Sequence, residues 1–201
     1  MQKFLACLLV VATSGCPDVK TDPGEGPGEG TSGPIVEFDP SNSIVPFPNN
    51  LVLCATGTDQ TGAPCTIGKV AIPPPACETD AAKATRTNVL NQLDGFGTFE
   101  AAMQITLTKP VDPATLDGHI VMYQRTHGTT AIDPSGAMPV PLKLIPSSTL
   151  RFTKGKCTSP ATVDAVTIVP LVPLEQKSTY TVAVIPGIKT SDSKDYAPSS
   201  T

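Results

Sequence analysis

The chain has no tryptophan, and aromatic residues make up only 4% of it. A core built from this sequence must therefore rest on aliphatic side chains. Charge is also scarce: 16% of residues are charged and the net balance is −4. No basic cluster interrupts that acidic balance, which argues against nucleic acid as a partner. No G-x-S-x-G run occurs, so no nucleophile elbow is expected. H-E-x-x-H, a Walker loop and a strand-flanked G-x-G-x-x-G are missing as well. The glycine-rich run Gly24–Gly30, GEGPGEG, is acidic and unflanked by strands, which is wrong for phosphate. Only two histidines are present, His119 and His127, and both read as surface or loop residues rather than catalytic or metal-binding ones. Asp192 and Asp195 sit among serines, but the stretch lacks an established calcium-loop pattern and reads as a polar hairpin turn. No cofactor, metal centre or catalytic residue is expected.

What the chain does have is punctuation. Its 22 prolines and 16 glycines separate short apolar runs, which favours many turns and an all-β plan. The organising stretch is Leu90–Gly118. Ala81–Leu93 is free of glycine and proline and rich in helix formers, with Val89, Leu90 and Leu93 at helical spacing. Thr79 or Asp80 is placed to cap its start, and Asp94-Gly95 to end it. Met103, Ile105 and Leu107 then alternate with Gln104, Thr106 and Thr108, as in a strand with one wet face. Pro110 stops that strand, and Asp112-Pro113 and Asp117-Gly118 are turn chemistry.

The N-terminus reads as an export signal. Lys3 precedes the apolar run Phe4–Ala12, which is too short to span a bilayer, and Thr13-Ser14-Gly15-Cys16 follows. This pattern resembles a lipoprotein signal cut before Cys16, with Thr13 where leucine is usual. Residues 1–15 are thus expected to be a signal peptide and Cys16 to be lipidated. Pro17 follows the cysteine, where an aspartate would favour inner-membrane retention, so an outer-membrane lipoprotein is expected. Removing residues 1–15 takes away Lys3 alone, so the charge of −4 becomes −5. Residues 16–34 carry no apolar periodicity and read as a flexible tether, on the order of 25 Å end to end.

The folded part is expected over residues 35–201, enough for one domain with a real core. Ile35–Phe38 is a candidate first strand. Phe47, between Pro46 and Pro48, is expected to plug the core. Leu51–Cys54 and Cys65–Ile72 read as two short strands. His119–Arg125, Ala165–Val169 and Thr179–Ile185 read as further strands, and Val140–Ile145 with Thr149–Thr153 as a hairpin around Pro146-Ser147-Ser148. Met103, Ile105, Leu107, Val166, Ile168, Tyr180, Val182 and Val184 are expected to be buried together. After Cys7 is removed and Cys16 lipidated, Cys54, Cys65, Cys77 and Cys157 remain. Four cysteines in an exported chain are expected to form disulfides and allow three pairings, of which Cys54–Cys65 with Cys77–Cys157 is favoured. Cys54–Cys65 would close a local loop and Cys77–Cys157 would staple the helix lead-in to a late loop, with zinc a weaker competitor for want of any C-x-x-C.

Three segments resemble, in order, the N-terminal domain of bacterial virulence-factor lipases. They are Phe38–Leu53 (FDPSNSIVPFPNNLVL), Asn91–Leu116 (NQLDGFGTFEAAMQITLTKPVDPATL) and Val172–Ser200 (VPLEQKSTYTVAVIPGIKTSDSKDYAPSS). The last is also similar to bacterial immunoglobulin-like domains of surface proteins. Asn50 stands where that family usually has aspartate, and Phe99 follows Gly97-Thr98 where serine-threonine-threonine is commoner. The resemblance implies an immunoglobulin-like β-sandwich with one short helix, an accessory module and not the catalytic part. It implies either a noncatalytic structural or binding domain standing alone on a lipoprotein, or the leading part of a truncated extracellular lipase whose hydrolase domain is missing. The partners expected are the membrane, through the lipid, and an unidentified surface partner or hydrolase domain.

Overall fold

A computed structural model describes residues 33–39, 44–75, 77–97, 102–151 and 160–198. Eight strands form two sheets. They are β1 (Ile35–Val36), β2 (Met103–Leu107), β3 (Ile120–His127), β4 (Thr130–Ala131), β5 (Leu142–Arg151), β6 (Ala161–Pro170), β7 (Ser178–Val184) and β8 (Ala197–Pro198). The first sheet runs β5-β6-β2-β1-β8 and the second β4-β3-β7. All pairs are antiparallel except β1–β8. In immunoglobulin lettering β5-β6-β2-β1 is the D-E-B-A sheet and β3–β7 the C–F pair. The fold is thus the immunoglobulin-like sandwich expected from the sequence, with β8 in the place of strand G but paired to β1.

Alternation along the strands sets what is buried. The register Ile105↔Val166 and Met103↔Ile168 puts four apolar side chains on one face of the first sheet. Across from them Ile120↔Val184 and Met122↔Val182 share one face of the second. The core gathers Ile105, Leu107, Val111, Leu116, Ile120, Val166, Ile168, Ile188 and Tyr196. It is aliphatic with one tyrosine, as a chain without tryptophan requires. The expected core is only partly realised. Met103 and Val182 are half-buried and pack against the cluster. Tyr180 is half-buried, and Val184 is 38% exposed.

The outer face of the first sheet is polar and joined. Gln104 Nε2 donates to Ser147 Oγ at 3.4 Å, and Ser147 and Thr167 share a hydrogen bond of 2.9 Å. Arg151 grips both oxygens of Glu37 at 2.9 and 2.5 Å and also donates to Thr106 Oγ1. Burial opposes ionisation of Glu37, but the Arg151 guanidinium outweighs it and holds the carboxyl below its ordinary range.

Several local expectations are corrected. The hairpin around Pro146 is instead one continuous strand, β5, paired along its whole length with β6. Pro146 is accommodated because β5 is a sheet edge, where a missing N–H need not break a ladder. The helix is shorter than Ala81–Leu93: α1 covers Asp80–Asn88, and a 3-10 turn follows at Leu90–Gln92. Thr79 caps it, accepting from Ala82 N–H. The chain leaves the helix at Val89, before Asp94-Gly95, and α1 buries none of its residues. Propensity alone starts this helix; no apolar face prolongs it. Leu51–Cys54 and Cys65–Ile72 are not strands but meet in a single bridge, Leu53↔Val70. Phe47 does not plug the core; it is 49% exposed, bridges Gln104 by backbone, and packs edge-on against Phe96.

Candidate binding cleft

An open cleft of about 1000 Å3 lies where the sheets part, between β1 and β2 on one side and β7 on the other. Its floor is apolar: Val36, Met103, Ile105 and Ile168 from the first sheet, and Tyr180, Val182 and Val184 from the second. Pro46, Pro48 and Phe96 close one end, and Leu174 another. Charge sits in its lining as Glu37, Asp94, Glu175 and Lys177. In an immunoglobulin sandwich this is the position of strand G, between the A and F strands. An apolar concavity with a few polar groups is the usual form of a binding site.

β7 is positioned by a tyrosine corner. Tyr180, near the start of the F-type strand, accepts a hydrogen bond from Glu175 N–H at 2.8 Å on its hydroxyl. The turn before it needs a left-handed residue, and Lys177 supplies it with φ 55°. That turn brings Glu175 and Ser178 to the end of β3. Gln124 Nε2 donates to Glu175 Oε2 at 2.8 Å and to Ser178 Oγ at 3.0 Å. These bonds, the one from Gln124 foremost, hold the Glu175 carboxyl below its ordinary range, with His127 adding to the effect. His127 Nδ1 lies 2.9 Å from Glu175 Oε2 and 3.3 Å from Ser178 Oγ. A serine, a histidine and a carboxylate therefore meet here, but both contacts use one ring nitrogen. A catalytic relay needs the serine on one nitrogen and the carboxylate on the other.

His119 has a different setting. Its Nδ1 lies 3.2 Å from Asp117 O, and its ring packs against Gly187. Gly187 has φ 125°, and a Cβ there would fall inside van der Waals contact with His119 Nε2. The Asp192–Asp195 stretch is a hydrogen-bonded turn. Lys189 bridges Asp195, and Thr190 Oγ1 donates to Asp192 Oδ1 at 2.5 Å. Among the described residues no group of three potential metal ligands converges.

The cysteines divide in two. Cys54 and Cys65 form the expected local disulfide, with Cα atoms 6.0 Å apart. Zinc at this pair is thereby displaced, since the thiolates are consumed. Cys77 is disulfide-bonded as well. Cys16 and Cys157 lie outside the described residues, as do the signal segment and the tether. Among the described residues no helix is long and apolar enough to cross a membrane.

No known family, curated protein or solved structure matches this chain. The cleft, and the pairing of β7 with β3 alone among the described residues, are the features that sequence reasoning missed. The signal for them was present in part: Ser178–Val184 reads STYTVAV, without charge or proline. Nothing in the alternation of that strand says which strands lie beside it.

Proposed function

We propose that this chain is a noncatalytic immunoglobulin-like module of a surface-anchored bacterial lipoprotein, tethered through lipidated Cys16 at the outer membrane and serving a binding role. The observation that carries the reading is the apolar cleft beside β7, which also has Ser178 in its lining. The one serine–histidine–carboxylate meeting lies with both contacts on His127 Nδ1, which supports a structural rather than a hydrolytic use. The succession of Lys3, an apolar run and Ser14-Gly15-Cys16 supports export and acylation. Stable anchoring needs two membrane signals, which a multiply acylated cysteine would supply. Intact-mass measurement of protein extracted from membranes should show an acylated N-terminal cysteine. An unmodified chain starting elsewhere overturns the anchor. Purified protein should not hydrolyse short p-nitrophenyl esters. Turnover abolished by Ser178→Ala overturns the noncatalytic reading.

A second reading is favoured by the three segments that resemble, in order, the N-terminal domain of virulence-factor lipases: an accessory module that precedes a hydrolase domain. The coding sequence past Thr201 tests it, since an in-frame G-x-S-x-G there would support that arrangement.

A further inference from the structure

Two aspartate–glycine steps occur in the chain, Asp94-Gly95 and Asp117-Gly118, each preceded by leucine. Sequence does not separate them, but the fold does. Asp117-Gly118 is held in a closed turn. His119 N–H donates to Leu116 O at 3.0 Å across the pair, and Gly118 has φ 76°, as the third residue of a type II turn requires. His119 Nδ1 also lies 3.2 Å from Asp117 O, and Leu116 before the pair is buried. Asp94-Gly95 has no such frame. The last backbone bond before it runs from Val70 N–H to Leu93 O at 2.8 Å. The next fixed point is Phe96, whose ring packs edge-on against Phe47 with centroids 5.6 Å apart. Between these points Asp94 is exposed, and among the described residues neither its carboxylate nor the Gly95 N–H has a hydrogen-bond partner. Nor does the backbone demand glycine at 95: its φ lies outside the left-handed range, and a Cβ there would meet nothing within 4 Å.

We propose that Asp94-Gly95 is a spontaneous backbone-modification site, at which Asp94 rearranges to isoaspartate. The Gly95 nitrogen, with no Cβ beside it to crowd the approach, attacks Asp94 Cγ in its carboxylic acid form. An N–Cγ bond forms, and one carboxyl oxygen leaves as water with the acid proton and the amide proton. The product is a five-membered imide. Water then adds at the former main-chain carbonyl of Asp94 and breaks its bond to nitrogen. The chain now runs through Cβ and Cγ, and the old main-chain carbonyl carbon is a free carboxylate. One water is lost and one regained, and no oxidant, cofactor or second protein is consumed. The attack needs the Asp94–Gly95 peptide to swing toward the side chain. Unbonded groups allow that motion, whereas the Leu116–His119 hydrogen bond must open first at the other site. The change falls where it alters the surface most. Asp94, Gly95 and Phe96 all line the cleft, so an added backbone carbon and a displaced carboxylate reshape its end, beside the Phe47–Phe96 contact.

The rearrangement needs no occupant in the cleft, so it and the proposed binding role can fail separately. The full, disulfide-intact chain is held at neutral pH and physiological temperature. Isoaspartate is read by enzymatic methyl transfer from S-adenosylmethionine and placed by peptide mapping. Asp94 should accumulate isoaspartate, preceded by a species lighter by one water. Asp117 should lag it at least about fivefold, the factor that opening one turn hydrogen bond costs. In concentrated urea, where the turn is gone, the two sites should react at similar rates. Gly95→Ala should suppress the reaction at Asp94 by crowding the nitrogen, and should leave the melting temperature and the Asp117 signal unchanged. An Asp94 that stays aspartate in the folded protein overturns the proposal. Equal rates at the two sites in the folded protein overturn it as well, as does undiminished isoaspartate at Asp94 in Gly95→Ala. A gap between the sites that persists in urea assigns the difference to local sequence and overturns the structural argument.

Discussion

Tyr196 should make the stability of this domain fall steeply in alkali. It is 8% exposed in the aliphatic core, and its hydroxyl donates to Lys109 O. Burial disfavours the phenolate, and Asp164 and Asp192 add negative charge nearby. Together they push its pKa from 10.0 up to about 12. The unfolded chain releases this proton near pH 10 while the folded chain holds it. The stabilisation is therefore fully present below pH 10 and is lost as the pH rises toward 12. A tenfold difference in proton affinity between the folded and unfolded chain is worth about 1.4 kcal/mol, so the loss as pH passes from 10 through 12, two such factors, is about 3 kcal/mol. Tyr196→Phe keeps the ring but removes the titration. At neutral pH the variant should be about 1 kcal/mol less stable, for the lost hydrogen bond. Urea unfolding of both proteins between pH 8 and 12 reads the difference, and other alkaline effects cancel in the comparison. The two stability curves should converge and cross as pH rises. Curves that stay parallel from pH 10 to 12 would refute the reasoning.

Three further outcomes follow from packing and charge. Arg151→Gln leaves the Glu37 carboxylate partly buried beside a neutral partner and should cost about 1 to 2 kcal/mol at pH 7. Because Glu37 is held below its ordinary 4.5, the native pair's contribution is present above that value and fades as pH falls through the folded pKa. Acid titration of wild type against variant should therefore show the gap closing below about pH 4.5. Gly187→Ala should destabilise by about 1 to 2 kcal/mol through its left-handed backbone, with the part due to the His119 ring contact relieved by His119→Ala; a neutral Gly187→Ala in thermal melts contradicts the backbone argument. Val182→Ala should cost about 1 kcal/mol, the low end for a half-buried valine. Val182→Asp should be far worse than Thr181→Asp, since Thr181 faces outward from the same strand, and the reverse order in melts would put the strand one residue out of register.

Much of the sandwich was legible from alternation. Met103–Leu107 was delimited to the residue, and β3, β6 and β7 within a few, because period-2 patterning in a half-wet sheet reports burial directly. The Cys54–Cys65 disulfide was legible from the short separation of the two cysteines. The boundaries that failed did so where a non-local partner decides. Pro146 reads as a turn in any local window, yet β6 runs past it in register and makes it an edge proline. Val89, Leu90 and Leu93 look like a helical stripe, but no opposing surface rewards their burial and the helix ends at Asn88.

Composition determined that the core would be aliphatic, and the strand patterns determined that it would lie between sheets. Tertiary structure alone decided that β8 pairs with β1 and that, among the described residues, β7 pairs with β3 alone. It also decided that Tyr180, Val182 and Val184, core residues by pattern, line a cleft instead. Alternation tells which face of a strand is apolar; which strand lies beside it is set by contacts distant in the chain, and those contacts lined a cleft with what reads as core.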